Sequence, residues 1–204
     1  MPPRVCFCEV LTSVPTRTRI LIVRHAAEIN KTSNTGRLAA LALANSVLVD
    51  HGVPQMVSAV VGDFGKGNGA TSDGGTGEAQ GLDLTGELGD RPWVLAPGGA
   101  VLTAPPDVGT LVVIDCTWAT AKSMRWRLPP LASVPTLSLP APTVAPMRMR
   151  RGAEPEHMAT IEAIAAALEF LGEPEPAAHL RALQARMAGV LLALRGFPMP
   201  EKRR

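Results

Sequence analysis

The chain has no tyrosine, and four Phe and three Trp are its only Phe, Tyr or Trp residues in 204. Leu, Val, Ile and Ala must therefore fill any core. Only three cysteines are present, with Cys6-Phe7-Cys8 the one close pair, too few for the disulfide framework that staples small secreted domains. No uninterrupted apolar run reaches the length of a membrane span, and the N-terminus lacks a basic segment followed by a long apolar one. No membrane partner and a cytoplasmic location are accordingly expected. Neither sign of charge dominates, since 20 Lys and Arg against 18 Asp and Glu leave a net charge of +2, which excludes a general polycation. The basic residues are instead grouped, as Lys122, Arg125 and Arg127, as Arg148, Arg150 and Arg151, and as Lys202, Arg203 and Arg204. Any contact with RNA would be local.

What is present is an alternation of strand-length and helix-length apolar segments. Arg19 to Arg24 is a short continuous apolar run of strand type, Leu38 to Val49 is rich in Ala and Leu over a helical length, and Met56 to Val61 reads as another strand. From Gly62 to Gly89 the chain turns Gly-rich and polar, the composition of a flexible insertion. Its Gly65-Lys66-Gly67-Asn68-Gly69 lacks the spacing of a phosphate loop. Trp93 to Ala96 and Leu111 to Ile114 resume the strands. Six prolines between Arg127 and Pro146 argue against a helix there and confine Thr136 to Leu139 to a short or edge strand. His157 to Leu171 carries Ile161, Ile164, Ala165, Leu168 and Leu171 on one helical face, with Gly172 and Pro174 as its stop, and a last helix is expected from about Ala177 to Arg195. Strands alternating with helices predict an α/β fold.

Three separated islands combine acids, amides and hydroxyls. The first is His25-Ala26-Ala27-Glu28, Lys31 and Ser33-Asn34-Thr35-Gly36-Arg37. The second, Asp115-Cys116-Thr117-Trp118, follows a strand and opens a helix. The third is Arg150 followed by His157-Met158-Ala159-Thr160-Ile161-Glu162-Ala163. A strand-terminal Asp either faces a ligand gathered at the carboxyl end of a parallel sheet or caps the next helix. Asn34 and Thr35 are equally suited to an ordinary N-cap, Trp118 to the core, and Lys122, Arg125 and Arg127 to a solvated helix face.

In order and spacing these islands, with Cys6-Phe7-Cys8 ahead of them, resemble the DTW-domain family, named for its Asp-x-Thr-Trp motif. The resemblance runs from about Cys6 to Leu171. Ala26 stands where the family usually has Pro and Cys116 where it has Gly, both small changes that keep the polar residues. It implies an α/β, SPOUT-like parallel-sheet domain with helices on both faces and a trefoil knot. It also implies transfer of the 3-amino-3-carboxypropyl group of S-adenosylmethionine to N3 of a uridine in tRNA, with S-adenosylmethionine as a substrate and tRNA as the partner. On that reading Asp115 accepts the imide proton or binds the methionine ammonium. Asn34, Thr35, Thr117, Trp118, Thr160 and Glu162 surround S-adenosylmethionine, and Lys122, Arg125 and Arg150 contact RNA. Two thiolates cannot complete a tetrahedral structural site, so no zinc is expected. The domain expectation is an N-terminal extension over 1–18, a DTW-like catalytic domain over 19–172 with the Gly-rich insertion at 62–89, and a C-terminal helix with a basic tail over 173–204.

Two other readings compete. Arg24-His25-Ala26-Ala27-Glu28 is similar to the start of a histidine phosphatase, although Ala26 replaces the Gly of that motif and His51, His157 and His179 lack its second histidine context. The other is a catalytically inactive RNA-binding domain of the same fold.

Overall fold

Ile20, Leu21, Ile22 and Val23 are consecutive apolar residues without polar alternation, the pattern of a strand buried on both faces. In the computed structural model, which describes residues 11–31, 33–52, 84–97, 99, 101–140 and 158–194 (the backbone alone at 118, 119 and 122), they are fully buried at the centre of β1 (Arg19–His25). β4 (Thr110–Asp115) is of the same kind and lies beside it. With β2 (Ser46–His51), β3 (Pro92–Leu95) and β5 (Thr136–Leu137) they form a sheet of order β2-β1-β4-β3-β5 in which every pair is parallel.

Alternation along the strands divides the core in two. Ile20, Ile22, Leu48, Leu111 and Val113 face α1 (Thr35–Ala42), α4 (Thr160–Phe170) and α5 (Pro174–Leu194). Leu21, Val23, Val49, Val94 and Val112 face α2 (Trp118–Arg127) and α3 (Pro129–Ala132). The α/β fold with helices on both faces is as the sequence predicts; a knot is not among the features that the described elements show. Among the described residues no helix is long and apolar enough to cross a membrane.

Several local expectations need correction. The stretch from Leu38 to Val49 is not one helix, because α1 stops at Ala42 and Leu43 is extended, with φ −121° and ψ 122°. The single Ser46 hydroxyl proton is shared between the carbonyls of Ala40 and Leu43, each 2.8 Å from Oγ, groups that continued helix would have used. The β-branched Val47 and Val49 then enter β2. The proline-rich stretch does admit one helical turn, α3, because Pro129 and Pro130 occupy its first positions, where a missing N–H costs nothing. Thr136 and Leu137 do form the expected edge strand. Of the Gly-rich insertion, residues up to 83 lie outside the described set, as does the strand expected at 56–61. Residues 84–89 are anchored at two points: Leu84 is fully buried beside Leu21 and Val23, and Glu87 pairs with Arg19 at 2.7 Å.

The connections set where a ligand would go. From β1 the chain passes to α1 on one face, and from the neighbouring β4 it passes to α2 on the other. Adjacent strands whose connections diverge leave a crevice at their carboxyl ends, the switch point at which ligands of open parallel sheets bind.

Candidate functional site

Asp115 ends β4 at this switch point. Its side chain shares a face with Leu111 and Val113 and so points toward α1 and α4 rather than toward α2. It is 4% exposed. Asn34 Nδ2 donates to Oδ2 at 2.6 Å, and the Thr160 hydroxyl donates to Oδ1 at 2.6 Å. The three sequence islands thus meet at one carboxylate. Asn34 does two jobs at once, since its Oδ1 accepts the Arg37 N–H at 2.7 Å and caps α1. Thr35 Oγ1 accepts the Ile161 N–H at 3.5 Å, joining the start of α1 to that of α4.

Gly36 makes this approach possible. A Cβ at residue 36 would lie 2.5 Å from Asp115 Oδ2 and 2.6 Å from its carboxyl carbon. The small residue of the Asn-Thr-Gly segment is therefore required by the position of Asp115.

Two helix N-termini converge on Asp115 and favour its anion, but removal from water opposes them. Desolvation raises the Asp115 pKa; the hydrogen bonds from Thr160 and Asn34 pull it back, the charge of Glu28 pushes it up, and Arg24 lowers it. Glu28 itself is 2% exposed and is paired with Lys31 Nζ at 2.6 Å. Burial, then Asp115, then Glu28 push the Cys116 thiol up to about 12, so it is not a thiolate nucleophile at neutral pH.

Strand register adds residues that the sequence islands did not single out. Arg24 stands opposite Asp115 on one side and Asp50 on the other, and it donates to Asp50 through Nε at 2.6 Å and Nη2 at 2.9 Å. Asp50, Arg24 and Asp115 therefore form one row across β2, β1 and β4 on the α1 and α4 side. On the α2 side the next residues of β2 and β1, His51 and His25, are paired in register. There the two imidazoles meet edge to face with 6.5 Å between centroids, His25 Nδ1 accepts the Ala27 N–H at 3.1 Å, and His51 Nδ1 is buried with no hydrogen-bond partner. Burial, then His25, then Arg127 lower the His51 pKa. Among the described residues no three His, Cys, Asp or Glu side chains are grouped to hold a metal ion.

The other expected site residues fall as follows. Thr117 is the N-cap of α2, with its Oγ1 accepting the Thr120 N–H at 3.4 Å, so Thr117 and not Asp115 caps that helix. Glu162 Oε2 accepts the Ala159 N–H at 2.6 Å and its other oxygen accepts from Gln184 of α5, which fastens the start of α4. Trp118 and Lys122 lie on α2, and nothing of their side chains is described. Arg125 Nη2 donates to the Val134 carbonyl at 3.1 Å. Arg150 lies outside the described residues. Glu28, Gly36, Arg24 and Asp50 carry the geometry without having been assigned roles. The first two stand inside the first island, whereas Asp50, and the link of Arg24 to it, are found only through strand pairing.

A family model described as DTW domain matches residues 79–191, more than half of the chain, from before β3 into α5. No solved structure matches the chain.

Proposed function

This chain belongs to the DTW-domain family, and on that premise we propose that it transfers the 3-amino-3-carboxypropyl group of S-adenosylmethionine to N3 of a uridine in tRNA. Family membership is consistent with a tRNA-modifying function. The observation that carries the finer reading is the meeting of Asn34, Asp115 and Thr160 through two 2.6 Å hydrogen bonds at the sheet's switch point.

The reaction requires a base. The uridine N3–H gives up its proton, the nitrogen lone pair forms the new N–C bond, and the C–S bond breaks so that its electron pair leaves with neutral methylthioadenosine. We assign Asp115 as the proton acceptor. Burial moves its pKa upward from the ordinary carboxylate value, toward the range where a carboxylate is an effective base near neutrality. Asn34 and Thr160 hold it in position, each occupying one oxygen and leaving further lone pairs. Glu162, by fastening the start of α4, fixes Thr160. The phosphatase reading loses support here, since Arg24, beside the histidine that would be phosphorylated, is committed to Asp50.

The test is incubation of the purified chain with unmodified tRNA and S-adenosylmethionine, followed by nucleoside mass spectrometry. The expected product is uridine heavier by one aminocarboxypropyl group, with methylthioadenosine released in equal amount. A gain of one methyl group would replace the reading by methyl transfer. Binding of methylthioadenosine without any gain would mark an inactive domain.

A further inference from the structure

Trp126 is the most exposed large hydrophobic side chain among the described residues, at 64%. In a chain with three Trp and no Tyr, placing an indole in water departs from the general economy of aromatic residues. It is also not a loose side chain. The Arg125 guanidinium carbon lies over the indole, 5.5 Å from its centroid. That guanidinium is itself fixed by donation to the Val134 carbonyl at 3.1 Å. One face of the ring is therefore braced by a cation, and Arg127, exposed, follows directly in sequence.

We infer that Trp126, braced by Arg125 and followed in the chain by Arg127, is a stacking platform for an unpaired nucleobase of the RNA substrate. This rests on the tRNA reading above. An exposed indole with a cation over its ring is the pattern of single-stranded nucleic-acid sites, in which aromatic faces stack on bases and nearby cations meet phosphates. An ordinary protein partner would be served by the ring alone, whereas the cation over the ring and the exposed Arg127 next to it in the chain suit a polyanion. The placement fits as well. Trp126 stands on α2, eight residues beyond the helix's first residue, roughly 12 Å along its axis at ~1.5 Å per residue. That is about three or four nucleotide steps of ~3.4 Å from the end of the helix that adjoins Asp115. Bases flanking the target uridine would be the ones it holds.

The experiment measures dissociation constants of the full chain for unmodified tRNA by filter binding, with Trp126→Ala, Trp126→Phe and Arg127→Ala, alongside thermal melting and sedimentation. The expected result is a loss of about tenfold in affinity for Trp126→Ala with unchanged melting, most of it restored in Trp126→Phe, which keeps a stacking face. Arg127→Ala should weaken binding and lower its salt dependence. Unchanged affinity in Trp126→Ala, while the native chain still transfers to tRNA, overturns the platform and leaves the transferase reading standing. A change of oligomeric state with unchanged RNA affinity overturns it in favour of a second copy of the chain. Failure of the native chain to bind tRNA overturns both.

Discussion

The carboxyl edge of the sheet has two unlike sides. Toward α1 and α4, the row Asp50–Arg24–Asp115 is closed: Arg24 is held by a bidentate pair, and both oxygens of Asp115 accept hydrogen bonds from residues that begin the two helices. Toward α2, the row His51–His25 is loosely satisfied, with a buried imidazole nitrogen unpartnered, and the helix beyond it carries an exposed Trp that lies between two arginines in sequence. Rigidity and access are thus divided between the faces. That division suits the proposed function, in which a carboxylate that takes a proton is held still by packing and hydrogen bonds while the surface that meets a large polyanion stays open. The divergence of the connections after β1 and β4 lets one crevice adjoin both.

The comparison breaks most readily on the closed side. Asp115→Ala would leave the Asn34 amide and the Thr160 hydroxyl without their acceptor in a buried setting, and destabilisation of about 2–4 kcal/mol is expected in urea unfolding. The next effect is steric. Gly36→Ala would drive a methyl group against the Asp115 carboxylate, within 2.5 Å of Oδ2, so that backbone or carboxylate must move. A cost of about 1–3 kcal/mol is expected, with loss of transfer exceeding what the fraction unfolded explains.

The open side should respond weakly and with the opposite chemistry. His51 has its pKa lowered in the folded chain, so the unfolded chain takes up a proton first as pH falls. Stability is therefore lost as pH drops through and below about 6.5, the ordinary histidine value. His51→Asn should remove that part of the slope and leave the rest of the pH profile unchanged, as read from unfolding free energies on either side of that value. A native profile with no such slope would show that the imidazole is solvated, and the contrast between the two rows would weaken.

The strands and the two-sided core were legible in the sequence because unbroken apolar runs such as Ile20 to Val23 leave few alternatives. The three islands were legible as a set because each concentrates polar residues at the end of a strand or the start of a helix. What the sequence did not reveal was pairing. Arg24 and Asp50 are 26 residues apart, and nothing local marks them as partners until β1 and β2 are placed in register. The break at Ala42 was missed because Ala and Leu dominate the stretch, while the decisive interaction is a Ser46 hydroxyl reaching back to the end of the helix. The motif does not reveal that Glu162 also holds the start of α4, through its capping bond to Ala159 and its bond to Gln184. Gly36 stood within a motif for a reason visible only in three dimensions, the carboxylate lying against it.

Asp115→Asn separates a role of Asp115 in chemistry from a role in the fold alone. Asparagine keeps the shape, can accept from Asn34 and donate to Thr160, and carries no charge. Burial raises the Asp115 pKa, so its contribution to stability is greatest below the ordinary carboxylate value and is lost as pH rises through the raised one. The neutral variant should therefore melt no lower than the native chain at neutral pH. Melting temperature and aminocarboxypropyl transfer to tRNA measured on that one variant are the most direct test. An intact melt with transfer reduced by about 10²-fold or more is expected; retained transfer, or a melt lost together with the activity, would refute Asp115 as the proton acceptor.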